Sequence, residues 1–234
     1  MKNFLIVGAS SGIGLALAQS LQKQGHQIFT IARNHQVELE NIGIKQILMD
    51  ISKPLNNLSE HLPEILNGVA YCPGTINLKP FHRLSEEEIM NDFQVNTMGA
   101  VRVLQATFPA LKKSQGASVL LFSTVASNLG MGFHASIALA KSGVEGLAKS
   151  LAAEWAINKI RVNVIAPSLT DTPLASKLLN TDEKKEASNK RHPLGRIGNV
   201  EDIVPMASLL LSEKSDWITG QIIGIDGGMG SLKP

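Results

Sequence analysis

The chain has 234 residues, 44% of them apolar and 18% charged, with a formal net charge of +2. That length buries a substantial core in one domain, and the net charge is too small to suggest a nucleic-acid groove or a polybasic membrane anchor. Cys72 is the sole cysteine, so no intrachain disulfide is possible and a reducing, cytoplasmic setting is expected.

Met1-Lys2-Asn3 runs straight into Phe4–Val7, an apolar run too short for a signal segment and followed at once by a glycine turn, so it predicts a first strand. No stretch approaches a membrane-spanning length. A helix is predicted over Ile13–Gln24, closed by Gly25 as a natural C-cap. Strands follow over Gln27–Ala32, Gln46–Met49 and Val69–Cys72. Ser85-Glu86-Glu87-Glu88 reads as a capping box, opening a helix that runs to about Lys112. After a strand over Ser118–Phe122, the helix beyond Ser136 places Val144, Leu147, Leu151 and Trp155 on one face, with Ala148 and Ala152 alongside. Arg161–Ile165 and Ile222–Ile225 are the last two strands. Between them Asp182–His192 is almost wholly polar and reads as an exposed, mobile segment. Seven strands alternating with helices predict a single α/β domain over residues 1–234: a Rossmann-type, doubly wound parallel sheet flanked by helices.

Gly8-Ala9-Ser10-Ser11-Gly12-Ile13-Gly14 lies between the first strand and the first helix. Glycines there permit a tight turn and close approach of a pyrophosphate, and the helix N-terminus offers unpaired N–H groups and a positive dipole end. Ser10 and Ser11 add hydroxyl donors. At the end of the second strand, an acidic residue would bind the ribose hydroxyls of NAD, but this chain has Ala32-Arg33-Asn34. Arg33 either pairs with a 2′-phosphate, which favours NADP(H) over NAD(H), or is a solvated loop arginine. Asp50, after the third strand, either contacts an adenine or forms a turn.

With these motifs in place, the whole chain resembles the short-chain dehydrogenase/reductase family. Asn96, in Gln94-Val95-Asn96-Thr97, matches the family's catalytic asparagine, and Lys141 matches the lysine of its Y-x-x-x-K step. Thr124 stands at the common spacing of the catalytic serine, with Ser123 one position away. Arg161-Val162-Asn163-Val164-Ile165-Ala166-Pro167-Ser168 resembles R-V-N-x-I-x-P-G with Ser168 replacing glycine, and Ile218-Thr219-Gly220-Gln221 and Asp226-Gly227-Gly228 match the final strand and turn. Tyr71-Cys72-Pro73-Gly74 stands where N-N-A-G is usual. The resemblance implies cofactor contacts from Gly8, Ser10, Ser11, Gly12, Ile13, Gly14, Arg33, Asn34, Asp50, Ile51, Cys72, Pro73, Gly74, Lys141, Pro167 and Thr172. It also implies a substrate loop and helix over about residues 169–195, and assembly as a homodimer or homotetramer. Leu174, Leu178 and Leu179 could cover an apolar small-molecule substrate, and no nucleic-acid, membrane or metal partner is expected.

The family tyrosine is missing. Ile137 stands four residues before Lys141, and the only tyrosine is Tyr71. General acid catalysis typically contributes about 10²–10⁴-fold, so ordinary carbonyl reduction should be severely slowed. The enoyl-thioester reductases of the same family use Y-x-x-M-x-x-x-K, and overlaying that pattern puts His134 in the tyrosine slot. An imidazole there could donate a proton, or His134 is a plain loop residue. Ser136 and Tyr71 are weaker substitutes. Trp155 and Trp217 read as core or subunit-contact residues. Two functions stay open: an NADP(H)-dependent oxidoreductase acting on a carbonyl, alcohol or enoyl group through a rewired proton relay, and a non-catalytic NAD(P)-binding sensor or scaffold subunit.

Overall fold

The computed structural model describes residues 1–233. Its strands are β1 Asn3–Val7, β2 Gln27–Ala32, β3 Lys45–Leu48, β4 Gly68–Tyr71, β5 Ser118–Phe122, β6 Arg161–Pro167 and β7 Ile222–Ile225. They form one wholly parallel sheet in the order β3-β2-β1-β4-β5-β6-β7. The helices are α1 Gly12–Lys23, α2 Val37–Asn41, α3 Glu86–Phe93, α4 Gly99–Lys113, α5 Ala135–Trp155, α6 Asp182–Asn189 and α7 Val200–Leu211. Both faces of the sheet are covered, which is why its strands read as continuous apolar runs. In β1, Leu5 and Val7 join a core with α4 and α5, while Phe4 and Ile6 join a second core with α1 and α7.

The predicted strands and the doubly wound sheet are present. Ser85 and Glu88 form the reciprocal capping box read from the sequence. The helix it opens is not continuous, however: a π turn over Gln94–Met98 separates α3 from α4. The side chains explain the break. Asn96 Nδ2 donates to the Asp92 carbonyl at 2.7 Å, taking the acceptor that a regular α ladder would use. Gly99 N–H then bonds Gln94 O, five residues back, and the freed Val95 carbonyl accepts the Tyr71 hydroxyl at 2.5 Å. Gly99 is the residue that permits this, because a Cβ there would collide with the Tyr71 hydroxyl.

One other expectation needs correction in part. Asp182–His192 is mostly exposed, as expected, but it is not loose: α6 starts on a Thr181 cap that accepts from Lys184 N–H, with Asp182 and Glu183 in its first turn. Ser188 and His192 are buried. The polar pattern misled because a short helix with one buried edge needs few apolar residues. Of the two tryptophans expected in the core or at a subunit contact, Trp155 is in the core, stacked at a tilt on Phe108, and Trp217 is 96% exposed, which leaves it only the second role. The R-V-N motif serves as a strut. Asn163 bonds Ile218 O and Gln221 N–H, and Arg161 bonds Ser215 Oγ and Ser212 O, fixing the approach to β7.

Candidate active site

The strand order reverses between β1 and β4, and the carboxyl ends of such strands frame the ligand crevice of an open α/β sheet. Gly8 leaves β1 with φ +78°, and a Cβ there would stand 3.0 Å from Pro73 Cγ, just beyond β4. At Gly14 a Cβ would collide with the Gly8 carbonyl oxygen. Ser11, the N-cap of α1, makes no side-chain capping bond, and the first turn holds no acid. Its backbone N–H groups are thus directed at an open, anion-attracting position, and Ser10 and Ser11 are exposed beside it. Thr172 comes within 3.4 Å of where a Cβ on Gly12 would lie, so the loop after β6 reaches over the glycine turn.

Arg33 and Asn34 are exposed just past β2. Asp50 Oδ1 accepts from Ser52 N–H at 3.0 Å and Ser52 Oγ at 2.7 Å, a turn that holds its carboxyl below the usual range, with Lys53 and Arg33 adding attraction. Ile51 packs on the core, and its carbonyl accepts from Arg102 at 3.3 Å.

A cavity of about 690 Å³ opens beside this frame. Its wall brings together Ile13, Cys72, Gly74, Pro167 and Thr172 from the nucleotide side with Thr124, His134, Ile137 and Lys141. Leu174 and Leu178 also line it, whereas Leu179 does not. Lys141 is buried and donates to the Phe122 carbonyl at 2.8 Å, and burial pushes its ammonium down to about 8. One of its three N–H donors is used there, leaving two for a ligand. Asn96 lies behind the wall: its Nδ2 is occupied by Thr75 and Asp92, while Oδ1 has no partner. That orphaned acceptor is 3.4 Å from the position of a Cβ on Gly74, and Lys141 Nζ is 3.7 Å from it. An unfilled buried acceptor beside spare ammonium donors fits a group bearing hydroxyls, such as a ribose. Together with the bare helix terminus, these residues fit a pyridine dinucleotide.

The protonatable groups are less conventional. Ile137 is buried in the cavity wall on α5, one turn before Lys141. Tyr71 is no substitute: it is buried, its hydroxyl is engaged with Val95 O, and burial raises its pKa beyond any working range. Ser136 donates to the buried carboxylate of Asp92 at 2.5 Å and is likewise committed. His134 is half-buried at the start of α5, with Nδ1 2.7 Å from Gly132 O, so Nε2 is free. Thr124 Oγ1 accepts from Ala126 N–H at 3.3 Å and retains its proton. Ser123 instead donates to Glu145 at 2.5 Å, which leaves Thr124 the freer of the two hydroxyls. Asp92, Glu145 and His192 escaped the sequence reading. His192 lines the cavity with Nδ1 2.8 Å from Ser188 O and Nε2 2.9 Å from Ser168 Oγ. Serine in place of the motif glycine at 168 was the only trace of that contact.

Comparison with known proteins agrees with this geometry. Residues 8–230 match the family described as Enoyl-(Acyl carrier protein) reductase. A tropinone reductase homolog of Arabidopsis thaliana is 31% identical over 97% of this chain and 92% of its own length. A short-chain type dehydrogenase/reductase from Mycobacterium ulcerans superposes with a TM-score of 0.92 at 28% identity, over 98% of this chain and 90% of that one. An Agrobacterium tumefaciens structure described as a 2-deoxy-D-gluconate 3-dehydrogenase, solved with bound NADP, gives 0.91 at 29% identity over 99% and 97%.

Proposed function

Because the chain belongs to the short-chain dehydrogenase/reductase family, we propose that it is an NADP(H)-dependent oxidoreductase of a small carbonyl, alcohol or enoyl substrate. The observation that carries this reading is Lys141, buried, with donors to spare and lining the cavity beside Gly74, next to the orphaned Asn96 Oδ1 and an uncapped α1 terminus. The α1 amides hold the pyrophosphate, Arg33 receives a 2′-phosphate, and Lys141 positions the nicotinamide ribose. The NADP bound by the Agrobacterium relative supports that preference. When bound, the dinucleotide supplies two-electron hydride chemistry. Thr124 polarises the substrate oxygen, and Leu174 and Leu178 exclude water from its apolar part. Ile137 stands where the family tyrosine would be, so the proton comes from elsewhere; His134, with Nε2 unengaged, and water are the sources the sequence offers.

The protein is expected to act in the cytoplasm as a homodimer or homotetramer. Among the described residues no helix is long and apolar enough to cross a membrane. A screen of NADPH oxidation against carbonyl and enoyl-thioester panels tests the activity: turnover with one class is expected, and none with any class overturns it. Ile137 and the committed Tyr71 favour one second reading, a sensor that binds the dinucleotide without turning over.

A further inference from the structure

Resting on that oxidoreductase reading, we propose that Ser168 and His192 deliver the proton in place of the missing phenol. Ser168 Oγ would touch the substrate oxygen, and His192 would act behind it as a positioning and proton-holding residue. Chemistry sets the direction of their hydrogen bonds. The Ser188 carbonyl only accepts, so His192 Nδ1 carries a hydrogen toward it at 2.8 Å. With a neutral ring, Nε2 accepts the Ser168 proton across 2.9 Å, and serine shows the cavity only lone pairs. With an imidazolium, Nε2–H donates to Ser168 Oγ and the serine proton is released toward the cavity. The couple therefore switches between accepting from an alcohol and donating to an alkoxide.

Position supports the assignment. Ser168 and His192 line the same cavity as Lys141, Thr124 and Ile137. Phe122 pairs with Ile165 across β5 and β6, so Thr124 and Pro167 leave the sheet at the same level, with Ser168 next in line. His192 follows the carbonyl end of α6, its N–H bonded to Asn189 O, and both of its ring nitrogens are engaged. His134, at the amino end of α5, engages only Nδ1 and makes no side-chain capping bond. The charged groups around His192 are Lys184 and Arg191 on the cavity wall and Asp226 on the turn whose Gly227 packs against the ring. Arg191 is directed onto Ser188 Oγ at 3.1 Å, and Asp226 onto the N–H groups of Gly228 and Gly230.

In the reductive direction the step balances. As the carbonyl carbon accepts a hydride from the reduced dinucleotide, the C=O π pair moves onto oxygen. That oxygen takes the Ser168 proton, Ser168 takes the Nε2 proton, and water reprotonates the neutral ring.

The test combines histidine ¹⁵N NMR of the ligand-free protein with kinetics of wild type, Ser168→Ala, Ser168→Gly and His192→Gln. NMR should show His192 as the Nδ1–H tautomer above its titration, with its Nε2 resonance moved by Ser168→Ala. With the substrate found in the panel, each variant should lose roughly 10²-fold in kcat while keeping its NADPH affinity. Wild-type reduction should fall as pH rises through the NMR titration of His192, and the variants should lack that limb. Turnover that survives Ser168→Ala, or an Nε2–H tautomer, overturns the couple while leaving the oxidoreductase reading intact. Bound NADPH with no wild-type turnover overturns the oxidoreductase reading and the couple's catalytic role together. His192→Gln bears on folding as well as chemistry, so the half-buried Ser168 variants decide the matter if it fails to fold.

Discussion

At the position of Ile137 a hydrocarbon side chain borders the cavity one helical turn from Lys141, and, among the described residues, no phenol lines that cavity. In the Ser168→Ala background, Ile137→Tyr should therefore raise ketone reduction by roughly 10²-fold, measured as kcat on simple ketones, because it restores a general acid to a site stripped of one. Tyr71→Phe should instead leave any activity in place and lower stability by about 0.5–1.5 kcal/mol in denaturant titration, since it removes a hydrogen bond to the half-buried Val95 carbonyl. Lys141 carries a pH signature. Its folded pKa is lowered from 10.5 to about 8 by burial, so the unfolded chain binds more protons between those values and stability rises with pH across that window. Wild type should gain roughly 3 kcal/mol relative to Lys141→Met between pH 7 and 10.5. Equal pH dependence of the two proteins would show that the amine is not desolvated.

Among the elements, the β1–α1 turn and the end of β2 carry the proposed preference for NADPH. Arg33 stands exposed just past Ala32, where an acid would repel a 2′-phosphate. Arg33→Ala should weaken NADPH binding by roughly 10–100-fold and leave NADH unchanged, the magnitude of one charged hydrogen bond. Much of this frame was legible in the sequence, because a glycine's freedom and a capping box are local properties of a few adjacent residues. The π turn was not legible. It depends on Asn96 capturing the Asp92 carbonyl and on Tyr71 reaching Val95 from β4. The order of α6 was missed for a related reason: its buried edge is polar, and the His192 contact with Ser168 spans 24 residues. Local patterns report the elements well, but the hydrogen bonds that close a site are made between elements.

Over the whole molecule, seven parallel strands with a reversal between β1 and β4 bring the glycine turn, the end of β4 and the N-terminal half of α5 to one edge of the sheet. The fold explains why these residues converge, and Ile137 on the cavity wall leaves that convergence intact. The protein should thus bind its cofactor whatever becomes of its chemistry. Isothermal titration of the full chain with NADPH and NADH tests this most directly. The expected result is saturable binding of NADPH, tighter than NADH; heat traces indistinguishable from dilution for both coenzymes would contradict the account at its root.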